Sequence, residues 1–172
     1  MKIIGVDPGS ARVGYGIIEL ERGTPKFVRA GILPVSATHA GDRLVQIERS
    51  FSKLIRAERP GLIAIEKIYF AKNAKTAVSV AQSCGVLTMV GAKLKIPVFE
   101  YTPLEVKLAV TGHGLADKRA VAKMVQKILR VDLGSVYDDV TDALAISIVA
   151  CNNYRLVKLK GRTKHFINVW ES

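Results

Sequence analysis

Apolar and polar positions along this chain follow two different periods. Residues 2–7 (Lys-Ile-Ile-Gly-Val-Asp) and 13–20 (Val-Gly-Tyr-Gly-Ile-Ile-Glu-Leu) are apolar runs of strand length, and Pro8-Gly9-Ser10 begins the short connection between them. That combination predicts a hairpin. Residues 27–33 predict a third strand, so three antiparallel strands in a row are expected. The period then changes. Leu44, Ile47, Phe51, Leu54 and Ile55 fall on one stripe at helical spacing, which predicts a helix over 41–57 with Pro60 beyond its end. Residues 62–66 (Leu-Ile-Ala-Ile-Glu) predict a central strand that ends on a carboxylate. A long helix is predicted over 74–93, a strand over 96–101, and helices over 103–110, 118–130 and 138–151. Asp117 is well placed to cap the second of these helices.

Three strands, then alternating helix and strand, then helices describe an α/β chain. Strands linked through helices favour parallel pairing. The expectation is a mixed sheet, antiparallel on one side, with helices on its faces. The helix over 74–93 stands out because Ala74, Ala77, Val78, Val80, Ala81, Cys84, Gly85, Val86, Leu87, Met89 and Val90 leave it almost no polar face. Such a helix must be covered on both sides. Either a second copy of the chain supplies the cover, making a symmetric dimer in which Gly85 lets a backbone come close, or the chain's own core does.

With 172 residues the chain has the length of one domain, and no repeat, low-complexity run or Pro/Gly/Ser linker divides it. No run of about 18 apolar residues offers a membrane span. A carboxylate at position 7 stands where a signal peptide would have its apolar core, so the cytoplasm is the expected compartment. Cys84 and Cys151 lie far apart in apolar surroundings and read as small buried hydrophobes. His39, His113 and His165 lack the spacing of a zinc pair. Charge is more informative: 26 Lys and Arg against 15 Asp and Glu give +11. That excess points to a polyanion, with nucleic acid ahead of a membrane surface because no basic amphipathic anchor is present.

Four acids occupy positions where acids are expensive. Asp7 closes an apolar strand, Glu66 closes Leu-Ile-Ala-Ile, and Asp139 and Asp142 precede Ala-Leu-Ala-Ile. Buried carboxylates stay ionised only when a cation or strong hydrogen bonds compensate. Asp139 and Asp142 are three apart and share a helical face that can look across at the ends of the strands. Singly, each has a plain structural use: a turn for Asp7, an ion pair for Glu66, a helix N-terminus for Asp138 and Asp139. Together, in a basic chain, they favour a site for hard divalent cations such as Mg²⁺ or Mn²⁺. Two such ions roughly 3.5–4 Å apart can activate a water and stabilise the leaving oxygen in phosphodiester hydrolysis.

These residues stand within a longer pattern. Gly5-Val6-Asp7-Pro8-Gly9 with Gly14-Tyr15-Gly16 resembles the opening of RuvC-family Holliday-junction resolvases. So do Ile65-Glu66-Lys67-Ile68-Tyr69-Phe70-Ala71-Lys72-Asn73, then Glu105-Val106-Lys107 with Val110-Thr111-Gly112-His113-Gly114 and Asp117-Lys118, and finally Asp139-Val140-Thr141-Asp142-Ala143-Leu144-Ala145. The early Asp-x-Gly pattern alone is shared with actin-like ATPases, but the four blocks in order over residues 3–150 are specific. The resemblance implies a ribonuclease-H-like mixed five-stranded sheet flanked by helices on both faces. It implies a nuclease domain over 1–153, followed by a basic C-terminal tail over 154–172.

It also implies that Asp7, Glu66, Asp139 and Asp142 are catalytic and hold Mg²⁺, with Mn²⁺ able to substitute, as two ions per site. Asp138 is an extra acid beside the motif. Tyr69 matches the family aromatic that stacks at the junction centre, with Phe70 beside it, although tyrosine stands where phenylalanine is usual. Lys72, Asn73, Lys107, Lys118 and Arg119 are the expected DNA contacts. The partners implied are four-way junction DNA, a second copy of the chain, and the RuvA–RuvB branch-migration complex. The competing readings are a monomeric YqgF-type nuclease acting on ribosomal RNA precursors and a junction-binding protein without catalysis.

Overall fold

The structure, a computed structural model, describes residues 1–9, 12–67, 74–134 and 136–159, with the backbone alone at 74, 75 and 157–159. Strands β1 (Lys2–Pro8), β2 (Val13–Glu21) and β3 (Thr24–Ile32) are followed by helix α1 (Ala40–Glu58), β4 (Leu62–Glu66), α2 (Ala74–Lys93), β5 (Val98–Tyr101), α3 (Pro103–Thr111), α4 (Lys118–Leu129) and α5 (Asp138–Leu159). The sheet order is β3-β2-β1-β4-β5. β1, β2 and β3 pair antiparallel, while β1–β4 and β4–β5 pair parallel. This is the expected mixed five-stranded sheet.

Because strand side chains alternate, the sheet has two apolar faces. Ile4, Val6, Ile17, Ile63 and Ile65 point to one side, where Ile47, Phe51 and Ile55 of α1 and Leu87 and Val90 of α2 cover them. Ile3, Ile18, Leu62 and Ala64 point to the other, against Val106 of α3, Val121 and Val125 of α4, and Leu144 and Ile148 of α5. Helices therefore flank both faces. Residues 143–151 of α5 are buried without a break, and Ser147 Oγ satisfies itself by donating to Leu144 O at 2.7 Å.

Glycine sets how closely α5 approaches. On the α5-facing side of the sheet, Gly5, Gly14 and Gly16 present no side chain. A Cβ would lie 2.1 Å from Ala143 O at Gly5, 2.1 Å from Asp139 O at Gly14, and 2.7 Å from Leu144 Cδ2 at Gly16. The first turns of α5 thus rest directly on the backbones of β1 and β2.

Three elements differ from the sequence pattern by two residues or more at one end. β3 begins at Thr24 rather than 27, because the tight Arg22-Gly23 turn, with φ of 47° and 85°, lets pairing start at once. β5 covers only Val98–Tyr101, since Pro97 before it has no N–H to donate. α5 runs on to Leu159: Asn152 and Asn153 are weak helix formers, but no Pro or Gly stops the helix there.

Candidate active site

The pairing register brings the first two acids together. Val6 is aligned with Ile65 across the parallel β1–β4 pair, so Asp7 and Glu66 follow as neighbours at the same end of two adjacent strands. On the other side of β1, Asp7 is aligned with Gly14. Asp139 lies over Gly14, its Cβ 2.9 Å from where a side chain there would begin. The N-terminus of α5 is therefore laid beside the strand ends that carry Asp7 and Glu66, and Asp142 follows one turn later.

The acids raise one another's affinity for protons. Asp7 is pushed up from 3.8 to about 8, first by loss of hydration, then by the charges of Glu66, Asp142 and Asp139, with Lys118 opposing. Burial and the Asp142 charge raise Glu66 above its ordinary value. Burial also raises Asp142, and Lys118 offsets part of that rise.

Two cations engage the α5 acids. Arg12 Nε donates to Asp139 Oδ2 at 2.9 Å, and its guanidinium stacks 4.3 Å from the centroid of the exposed Tyr137 ring. Lys118 Nζ lies 3.5 Å from Asp138 Oδ2 and 3.6 Å from Asp142 Oδ2. The Asp142 charge is the main reason the ammonium is raised above its usual range. Among the described residues no three acidic, histidine or cysteine side chains form a ready chelate. The donor set nevertheless suits a hard divalent cation: clustered carboxylate oxygens, poorly hydrated and short of positive charge, with no thiolate in competition. Cys84, the nearest thiol, is held protonated by burial, up to about 12.

Of the two adjacent acids, Asp139 acts on Asp7, whereas Asp138 is 77% exposed, pairs with Lys118 and acts on Asp142 but not on Asp7. Lys118 joins the cluster because the Asp117 side chain caps α4, accepting from Ala120 N at 2.7 Å. Arg119 beside it is exposed. Lys107 is part-buried midway along α3 and is not one of the cations paired with these acids. A reciprocal Thr102–Glu105 capping box starts that helix. Tyr69, Phe70, Lys72 and Asn73 lie outside the described residues. Arg12 and Tyr137 belong to the site but carry no sequence signal, since Arg12 and Asp139 are 127 positions apart.

The profile of the crossover junction endodeoxyribonuclease RuvC family matches residues 3–150. The chain belongs to the RuvC family. It is 45% identical over 157 residues to the RuvC of Syntrophomonas wolfei, covering 91% of each chain. With the RuvC of a Synechococcus species it is 42% identical, covering 87% of this chain and 98% of that one. Its fold matches Thermus thermophilus RuvC in complex with Holliday junction substrate at a TM-score of 0.83 and 27% identity, covering 91% of this chain and 96% of that one. RuvC-family nucleases are metal-dependent.

Proposed function

We propose that this protein resolves four-way DNA junctions by metal-dependent, symmetric phosphodiester hydrolysis in recombination and repair. The observation that carries the reading is the gathering of Asp7, Glu66, Asp139 and Asp142 at one sheet end, in a basic chain of this nuclease family. Those four side chains would hold Mg²⁺, or Mn²⁺ in its place, as two ions. When bound, the cations supply Lewis-acid activation of water and offset charge on the leaving 3′ oxygen. The protein's own part is to fix the carboxylates, exclude competing ligands and draw in the phosphate. Lys118 stands at the site for that last task, while Lys107 and Arg119 extend the positive surface around it. Tyr69 and Phe70 are assigned to base stacking at the opened junction centre, with Lys72 and Asn73 as nearby contacts. The RuvA–RuvB complex is the expected partner, and the cytoplasm the compartment this reading implies.

The test is nicking of a synthetic four-way junction in Mg²⁺ or Mn²⁺, beside linear duplex and single-stranded RNA. Paired nicks in the junction alone are expected. Asp139→Asn should slow them on the order of 10²-fold or more, while Asp138→Asn stays within about threefold, since only the former removes a site carboxylate. Equal losses would reassign the third ligand. RNA cutting would favour the YqgF-type reading, and binding without cutting a non-catalytic junction binder.

Two symmetric nicks call for two equivalent sites. The chain's own core covers one side of α2, through Ala77, Cys84, Leu87 and Val90, and leaves Val78 61% and Met89 40% exposed. Gln82 and Gly85 complete that outward stripe, and space beside Gly85 is open. We assign this stripe to a two-fold contact with a second copy. Because a Cβ at position 85 meets nothing within 4 Å among the described residues, Gly85→Glu should leave the fold intact and block close helix approach. Sedimentation should report a dimer for the natural chain and a monomer for the variant, and an unchanged dimer would move the interface elsewhere.

A further inference from the structure

Arg43 breaks the pattern of its helix. It shares a face of α1 with Ile47, Phe51 and Leu54, and it is 9% exposed. An apolar side chain would sit there more cheaply, because a buried cation without a carboxylate loses hydration for little return. Among the described residues Arg43 makes no ion pair. Its guanidinium instead spans two neutral acceptors. Nη1–H donates to Ser83 Oγ of α2 at 3.3 Å, and Nη2–H donates to the Gly9 carbonyl at 3.2 Å. Ser83 is fully buried, and its hydroxyl donates onward to Ser79 O at 3.0 Å.

Gly9 belongs to the turn that follows Asp7, and its N–H donates back to Asp7 O at 3.1 Å. A Cβ at Gly9 would lie 3.4 Å from Asp139 Oδ1 and 2.5 Å from Arg12 O. The turn is thus wedged between Asp7, Asp139 and Arg12 on one side and Arg43 on the other. We propose that Arg43 is a positioning residue, which clamps the Asp7–Gly9 turn to α2 and thereby sets the spacing of Asp7 and Asp139 for metal. The inference rests on the reading of those two acids as metal ligands. It also gives a physical reason for arginine: a planar fork reaches two separated acceptors at once, whereas a lysine keeps the charge but carries all its donors on one nitrogen.

The experiment measures Mn²⁺ binding to the full chain by the loss of its free-ion electron paramagnetic resonance signal, without DNA. Thermal melting and metal-free junction binding are measured alongside. For Arg43→Lys, Mn²⁺ affinity is expected to weaken about tenfold, the loss typical of a disturbed outer support to a metal site, with junction binding within about twofold. Cleavage by this variant should recover as Mn²⁺ is raised. Unchanged Mn²⁺ affinity in folded Arg43→Lys would overturn the proposal. If that variant fails to fold, Ser83→Ala decides, because it removes one arm of the bridge: weakened Mn²⁺ binding supports the clamp, and normal binding overturns it. Asp7→Asn is the reference. If it binds Mn²⁺ like the natural chain, the ligand assignment has failed rather than the role of Arg43.

Discussion

Asp7→Asn is expected to abolish junction cleavage while making the metal-free protein more stable. On the proposed ligand assignment, removing this carboxylate forfeits several kcal/mol of transition-state stabilisation, on the order of 10³-fold in rate. The stability effect has the opposite sign. The native Asp7 carboxyl keeps its proton up to about 8, whereas an unfolded one releases it near 3.8. Its contribution to stability is therefore fully present below 3.8 and is lost as the pH rises toward 8. Asparagine does not ionise and escapes that loss. At neutral pH those two values imply a gain of up to about 4 kcal/mol, or roughly 8–16 °C in Tm for a chain of this size. Melting in chelator from pH 5 to pH 8.5 should show the variant's advantage growing with pH. Saturating Mg²⁺ should shrink or reverse it, because ion binding stabilises the natural chain by mass action. A variant that melts below the natural chain in chelator at every pH would mean that Asp7 is not held under repulsion.

The same tension explains why the candidate site stands out in the chain alone. Glu66 at the end of Leu-Ile-Ala-Ile, and Asp139 and Asp142 ahead of Ala-Leu-Ala-Ile, contradict their apolar surroundings, and such contradictions concentrate where chemistry is done. β4 and α2 match their predicted spans because each is a strong local pattern between turn signals. For α5 the pattern predicts a shorter helix, because its apolar run ends at Cys151 while its backbone continues. Periodicity also left open what covers α2, since an apolar stripe does not say which of its sides meets the chain's own core. Arg12, Tyr137 and Arg43 could not be found in advance. Their partners lie on other elements, and only the assembled sheet brings Arg12 to Asp139 or the Gly9 carbonyl to Arg43. The choice between Asp138 and Asp139 likewise depends on the rotation of α5, which the packing of that helix on β1 and β2 determines.

That packing makes Gly14→Ala the second large effect, separable from a general loss of fold by comparison with Gly5→Ala. At Gly5 an added Cβ meets Ala143 O at 2.1 Å and Ser147 N at 2.6 Å, in the buried middle of α5. The helix is held there by the sheet beneath and by α3 and α4 above, so the clash cannot be relieved locally. Overpacking of this kind costs about 3 kcal/mol and shows in chemical denaturation. At Gly14 the added Cβ meets Asp139 O at 2.1 Å and Asp139 C at 2.5 Å, in the first turn of α5. That end carries the exposed Asp138 and Tyr137 and has more room to shift than the buried middle of the helix. Stability should fall less than for Gly5→Ala, but Asp139 moves away from Asp7 by an ångström or so. A displacement of that size can cost on the order of 10²-fold in rate. Single-turnover cleavage should therefore fall steeply for Gly14→Ala, with metal-free junction binding kept. Natural cleavage rates in that variant would mean that contact with β2 does not set the position of Asp139, and that its bond to Arg12 does.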